Sequence, residues 1–411
     1  MEISLLIPDQ RIISLEDALL LLAEQDTELT APFSEEVMEF CGALSQAIFR
    51  DKEAARFPEL FALAFWMRKA ELVRLRSAFL AVVPPDTMAL PRGLVFHVPP
   101  GNVDTIFVYS WLLSALAGNR NVIRMSSRGT PQSAILLRLW RETLQSTPRL
   151  RSNTVVLSYG HDRDVTAALS MICDVRVIWG GDHTVSEIRG IALPPHAREI
   201  TFPDRYSLAV VSAARYLELS ALDADKLAAN FFNDVYWFDQ MACSSPETVI
   251  WCGDVETSRK AADRFWTALA ACNARKEYQS APAIQMRKLL SACESIIDLP
   301  AVEYRRERDA SIVTLESLDC LPRERCGGGM FLSYRIDDLT QLASILKKKD
   351  QTLTYFGFSD TELRKFVLSL RKRSIDRIVP IGQALQFNRF WDGYDLLHEF
   401  CTFTFVAAAQ I

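Results

Sequence analysis

A chain of 411 residues exceeds the size at which one hydrophobic core usually stops growing, which implies two domains. With 49% hydrophobic and 24% charged residues it can fill a large core, and it is no disordered or low-complexity protein. The net charge of -5 argues against a nucleic-acid binder, whose domain would normally be basic.

Nine cysteines are scattered with no CxxC pair, so neither a zinc site nor a disulfide framework is expected. No basic, then apolar leader follows Met1-Glu2-Ile3-Ser4, and no apolar stretch is long enough to span a bilayer. Reduced cysteines without an export signal point to the cytoplasm.

In chain order, the first ninety residues read as helical. Ser14 before Leu15-Glu16-Asp17 resembles a capping box, and Pro58 suits the first turn of a helix carrying Leu60, Phe61, Leu63, Ala64 and Met67 at helical spacing. The rhythm changes at residue 93. A short apolar run, Leu94 to Val98, ends at Pro99-Pro100-Gly101 and leads into a helix stopped by Gly118-Asn119. Strands follow at Val122 to Met125, Thr154 to Ser158 and Val175 to Trp179, separated by helices, one of them opened by Thr130-Pro131. Such alternation predicts right-handed crossovers and a mostly parallel sheet, whose ligands bind beyond the carboxyl ends of the strands. Three loops therefore stand out: Pro99 to Asp104, Ser126 to Gly129 and Gly180 to Thr184.

A second α/β block opens near Tyr206 to Val211 and contains a helix ending around Phe238, a strand at Thr248 to Trp251 and a glycine turn at Gly327 to Gly329. Lys347-Lys348-Lys349 and Arg371-Lys372-Arg373 read as solvated helix faces. Phe400 to Ala407 reads as an exposed apolar strand, a candidate edge for pairing between copies.

Four segments could carry chemistry, each with a plainer alternative. Cys243, in Asp239-Gln240-Met241-Ala242-Cys243-Ser244-Ser245-Pro246, follows an apolar helix and has small polar flanks, unlike Cys41 and Cys173 in apolar runs. It is a candidate nucleophile; the alternative is a buried structural thiol. Asn102, at a strand's carboxyl end in a loop stiffened by Pro-Pro-Gly, could donate to an oxyanion or simply cap the next helix. Gly180 and Gly181, with Thr184 behind them, would let backbone N–H groups approach a phosphate or nicotinamide, or form a plain turn. Arg124, Ser126 and Arg128 suit the 2′-phosphate of NADPH better than the acidic residue expected for NAD; a surface basic turn is the other reading. The GxGxxG fingerprint is absent.

Together these segments resemble the aldehyde dehydrogenase superfamily and, within it, the LuxC-type fatty acyl-CoA reductases. Gly93 to Pro131 is similar to that superfamily's first βαβ unit, Trp179-Gly180-Gly181-Asp182 to its cofactor turn, and Phe238 to Pro246 to the reductases' nucleophile segment. Arg377 to Gly382 and Trp391-Asp392-Gly393-Tyr394-Asp395 also look like the reductases. The resemblance implies a Rossmann-type cofactor domain beside an α/β catalytic domain. It implies Cys243 as nucleophile, Asn102 as oxyanion donor and Glu324 at the nicotinamide ribose. The expected divisions are a helical N-terminal region packed on the cofactor domain (1–90), the cofactor domain (91–205), the catalytic domain (206–380) and a C-terminal return and oligomerisation segment (381–411).

Aldehyde-oxidising members carry a water-activating Glu where this chain has Thr201, which favours reduction of a thioester. The activity so implied is reduction of an acyl thioester, as acyl-CoA or acyl-protein, to an aldehyde through a Cys243 acyl-enzyme. NADPH is the expected cofactor and NADH the alternative. An acyl-protein synthetase is a candidate partner, a homo-oligomer is expected, and no metal is. The rival readings are an aldehyde dehydrogenase and a non-reductive acyl-carrying scaffold.

Overall fold

A computed structural model describes residues 2–24, 28, 30–101, 103–318 and 321–407. They form two compact units, Met1–Pro203 with Phe387–Ile411, and Asp204–Gln386. The first unit thus ends before residue 205 and takes back the tail from Phe387 rather than from 381.

The first unit is built on a seven-stranded sheet. Its strands are β1 (Ile3–Ile7), β2 (Arg11–Ile13), β4 (Leu94–Val98), β5 (Arg120–Met125), β6 (Thr154–Ser158), β7 (Val175–Trp179) and β8 (Arg198–Phe202), in the order β2-β1-β6-β5-β4-β7-β8. Thr87–Pro91 (β3) stands apart and pairs antiparallel with Cys401–Phe405. From β6 to β8 all pairings are parallel. Every residue of β4 and β7 is buried, as expected for strands covered on both faces. The chain runs from β4 to β5 to β6 and then crosses to β7 on the other side of β4, so the loops after β4 and β7 flank the switch point.

The helical reading of the first ninety residues needs correction at its start. Ile3, Leu5 and Ile7 are buried, Ser4 is exposed and Leu6 half-buried, a period of two that fits β1 as a strand pairing antiparallel with both β6 and the edge strand β2. Helices follow at Leu15–Ala23, Glu35–Arg50, Pro58–Trp66 and Lys69–Leu80. Ser14 does close a capping box, its hydroxyl accepting from the Asp17 N–H at 3.0 Å while Asp17 accepts from the Ser14 N–H at 3.0 Å.

A polar relay pins the middle of this sheet. Trp179 Nε1 donates to Ser110 Oγ at 3.2 Å, and Ser110 Oγ lies 2.8 Å from His97 Nδ1. His97 Nε2 lies 3.0 Å from Asn121 Oδ1, whose amide nitrogen donates to the Asn119 carbonyl at 2.8 Å. Because that oxygen can only accept, Nε2 carries the proton and Nδ1 accepts from Ser110. Burial pushes the His97 pKa down to about 4, so the ring is neutral.

The second unit has its own seven-stranded sheet. Its strands are β9 (Tyr206–Ser212), β10 (Pro246–Cys252), β11 (Ala301–Glu307), β12 (Ala310–Leu315), β13 (Met330–Ile336), β14 (Asp350–Phe356) and β15 (Arg377–Pro380), in the order β11-β12-β13-β10-β9-β14-β15. Only β11 runs antiparallel. Tyr216, Phe231, Trp251 and Phe265 pack on one side of the sheet, and Leu208, Ile250, Leu332 and Phe366 on the other. The register slips by one residue at the start of β10, between Pro246 and Thr248, and again at the start of β14, between Asp350 and Leu353. Both slips face β9 at Tyr206 to Leu208. Among the described residues no His, Cys, Asp and Glu cluster is disposed to hold a metal, and no helix is long and apolar enough to cross a membrane.

Candidate active site

The candidate nucleophile sits in the connection between helix Ala221–Tyr236 and β10. After the helix the backbone turns sharply through Asp239 and Gln240, at φ 49° and 62°, values that side chains with a Cβ seldom adopt. The fully buried Gln240 holds the turn. Its amide donates to the carbonyls of Pro246 at 2.9 Å and Met330 at 3.0 Å, and its oxygen accepts from the N–H groups of Gly329 at 2.9 Å and Met330 at 3.1 Å. One side chain thereby ties the starts of β10 and β13 to the turn.

The glycine triplet is the other half of this frame. Gly327, Gly328 and Gly329 all have positive φ, and Gly328 N–H donates to the Asp239 carbonyl at 2.7 Å. A Cβ on Gly327 would lie 2.9 Å from that same carbonyl oxygen and 2.7 Å from Met241 Sδ. Glycine is required because the two loops touch backbone to backbone. The buried Lys288 donates to the Gly328 carbonyl at 2.9 Å, with burial lowering its pKa.

Cys243 emerges from this turn half-buried. Ser207 Oγ, at the start of β9, donates to its carbonyl at 2.7 Å, and Gln351 Nε2, at the start of β14, lies 3.5 Å from its sulfur. Several other thiols are buried. Cys173 and Cys401 are buried, with burial pushing each pKa up to about 12, and Cys41 and Cys326 are raised by the same cause. Cys252 is half-buried and Cys293 exposed, so exposure separates Cys243 only from the buried thiols; the tight turn and the contacts from Ser207 and Gln351 set it apart from those two.

Arg325 braces the turn from the other side. Its Nη1 donates to the Met241 carbonyl at 2.9 Å, and its Nε lies 3.6 Å from the buried Glu247 carboxylate. Burial holds the Glu247 pKa well above the usual carboxylate range, against the opposing pull of Arg325. Glu324, next in sequence, is exposed and lines a cavity of about 380 Å³ with Glu247, Glu294, Asp298 and Cys326.

In the first unit, the residues expected to hold a cofactor lie at the carboxyl ends of β5 and β7. Gly101 faces Ser126, and an added Cβ would meet the serine Cβ at an ordinary contact distance of 3.6 Å. Asn102 lies outside the described residues. Gly180 is covered by Thr184, while the space around Gly181 is open. Gly181 starts helix Asp182–Arg189 with no side-chain cap on its N–H groups. The two arginines diverge. Arg124 turns onto the Tyr159 ring and donates to the Gly160 carbonyl at 3.0 Å, whereas Arg128 is exposed.

The family described as acyl-CoA reductase (LuxC) matches residues 84–403. This chain belongs to the acyl-CoA reductase (LuxC) family. Similar curated proteins include a long-chain acyl-protein thioester reductase of Aliivibrio fischeri, 22% identical over 72% of this chain, and one of Photorhabdus laumondii, 25% identical over 72%. The match spans 59% of the length of each of these relatives. Among solved structures, an oxidoreductase from Marinobacter aquaeolei superposes with a TM-score of 0.68 at 12% identity, covering 98% of this chain and 94% of that one. A Thermus 1-pyrroline-5-carboxylate dehydrogenase solved with bound NAD gives 0.65 at 14%, covering 98% and 89%. The fold is that of the aldehyde dehydrogenases.

For a LuxC-family chain, the informative surprises are Gln240, Gln351, Ser207 and Arg325, which the sequence reading passed over. Arg325 touches the turn that carries Cys243. The adjacent glycine triplet was the available signal for Arg325. Gln351 and Ser207 come from strands more than thirty residues away in sequence on either side and carried none.

Proposed function

We propose that this chain reduces an acyl thioester to an aldehyde, with Cys243 as the covalent nucleophile and NADPH as reductant. The observation that carries this reading is the half-exposed Cys243 thiol, held in a sharp backbone turn between two strand starts. Membership of the acyl-CoA reductase family and the names of the curated relatives support it. So does Thr201, where an aldehyde-oxidising enzyme would carry a water-activating Glu.

The residues of the first unit fit a nicotinamide dinucleotide. The open Gly181 and the uncapped N–H groups of its helix suit the pyrophosphate, and Ser126 with the exposed Arg128 suits a 2′-phosphate. Arg124, turned onto Tyr159, is the weaker part of that set. Thr184 shapes the turn, and Glu324 is assigned to the ribose by resemblance alone. When bound, the reduced nicotinamide supplies hydride. The Cys243 thiolate attacks the thioester carbonyl, the new C–S bond replaces the old one, and CoA or a protein thiol leaves. The Asn102 amide and the Cys243 N–H are assigned to the oxyanion. After reduction the Cys243 sulfur is the leaving group and the aldehyde departs.

Radiolabelled long-chain acyl-CoA is expected to label the protein at Cys243 and to release aldehyde when NADPH is added. Labelling that persists in Cys243→Ala would defeat the assignment. Turnover of aldehyde with NADP⁺ in the absence of CoA would move the reading to an aldehyde dehydrogenase.

A further inference from the structure

The Cys243 sulfur has a polar neighbour to which nothing in the family resemblance assigns a role. Gln351 is 2% exposed, and its side-chain nitrogen lies 3.5 Å from Sγ. Its oxygen accepts from Thr352 Oγ1 at 3.3 Å, so the amide is oriented with N–H toward sulfur. Ser207 Oγ accepts from the Thr352 N–H at 3.3 Å and donates to the Cys243 carbonyl at 2.7 Å. The nucleophile is therefore gripped at its carbonyl from β9 and at its sulfur from β14, and Thr352 links the two grips.

The strands are deformed where this happens. The extra residue in β14 falls between Asp350 and Leu353, the interval that contains Gln351 and Thr352. A bulge redirects a side chain that a regular strand would point elsewhere, and bulges gather beside active sites. The Arg323 guanidinium holds the preceding Asp350 carboxylate through two bonds of 2.7 and 2.8 Å, which anchors the bulge. A buried amide donor at a sulfur favours the charged form of that sulfur over the neutral one.

We propose that Gln351 is a catalytic residue, donating its side-chain N–H to the Cys243 sulfur as that sulfur attacks and again as it leaves. The role rests on the reading of Cys243 as nucleophile. In the first step the donor stabilises the thiolate, whose proton has gone to solvent. In the last step electrons of the breaking C–S bond return to sulfur, and the same N–H receives them.

The test is the rate at which iodoacetamide alkylates Cys243 in the full chain, followed on the Cys243 peptide by mass spectrometry across the neutral to alkaline range. Gln351→Met keeps the shape and removes the donor. Its titration is expected to move up by about one pH unit, making alkylation near neutral pH about tenfold slower. Gln351→Glu, which sets a carboxylate beside the sulfur, is expected to move it further. Thr352→Val releases the amide to rotate and should give an intermediate shift. Coincident profiles for Gln351→Met and wild type, with unchanged thermal unfolding, overturn the proposal. Should Gln351→Met not fold, coincidence of Thr352→Val with wild type overturns it. A shifted profile in a protein that never takes acyl label on Cys243 leaves the donor standing and removes the reductase reading instead.

Discussion

At the scale of single residues, the turn that carries Cys243 depends on backbone shapes that most side chains refuse. Gly327 has φ +82°, and a Cβ there would collide with the Asp239 carbonyl and the Met241 sulfur. Gly327→Ala is therefore expected to cost about 1–3 kcal/mol in chemical denaturation and to slow alkylation of Cys243, because Asp239 to Met241 must move. Wild-type stability and reactivity in that variant would show that the two loops are independent. The sequence marks this thiol as a candidate, by small polar flanks that cysteines in apolar runs lack. It carries no such mark for the side chains that hold the turn. Gln240 is an ordinary glutamine until four hydrogen bonds from two other segments meet on its side chain, and such convergence leaves no periodic trace along the chain.

At the scale of elements, the parallel strands of the first unit were readable because burial on both faces demands short continuous apolar runs between turn residues. β4, β6 and β7 carry that mark, and all three run where it places them. The N-terminal hairpin was missed because a five-residue alternation in Ile3 to Ile7 is easily absorbed into the helical pattern that follows. Within β4, His97 makes a prediction about pH. Folding holds the ring neutral down to about 4, whereas in the unfolded chain it takes a proton near 6.5. Between these values the unfolded state binds more protons, so stability present above pH 6.5 is lost as pH falls toward 4. The full effect is about 3 kcal/mol. Denaturant midpoints measured over that interval should fall more steeply for wild type than for His97→Gln. Equal slopes would mean that the ring is not held neutral.

At the scale of the whole molecule, the cofactor reading makes the thermal prediction. Anything that binds only the folded state must stabilise it, by about 2.7 kcal/mol at about a hundredfold excess over Kd. NADPH should raise the unfolding temperature by several degrees, and Arg128→Ala should reduce the NADPH shift while sparing that of NADH. Equal losses for both would place Arg128 away from the 2′-phosphate, and no shift with either would favour the scaffold reading.

The chain leaves its first unit at Pro203 and returns to it only at Phe387. The returning stretch closes groups laid down far earlier: Asn119 donates to the Phe400 carbonyl at 2.9 Å, Arg92 to that of Glu399 at 2.6 Å, and β3 waits for Cys401–Phe405. On the ribosome, then, the first unit stays unfinished until the stretch from Phe387 to Phe405 has been made, while the unit inserted into it already has all its strands. A nascent chain released shortly before Phe387 would carry a finished second unit and an unfinished first one, and the cell would meet it as a substrate for chaperones.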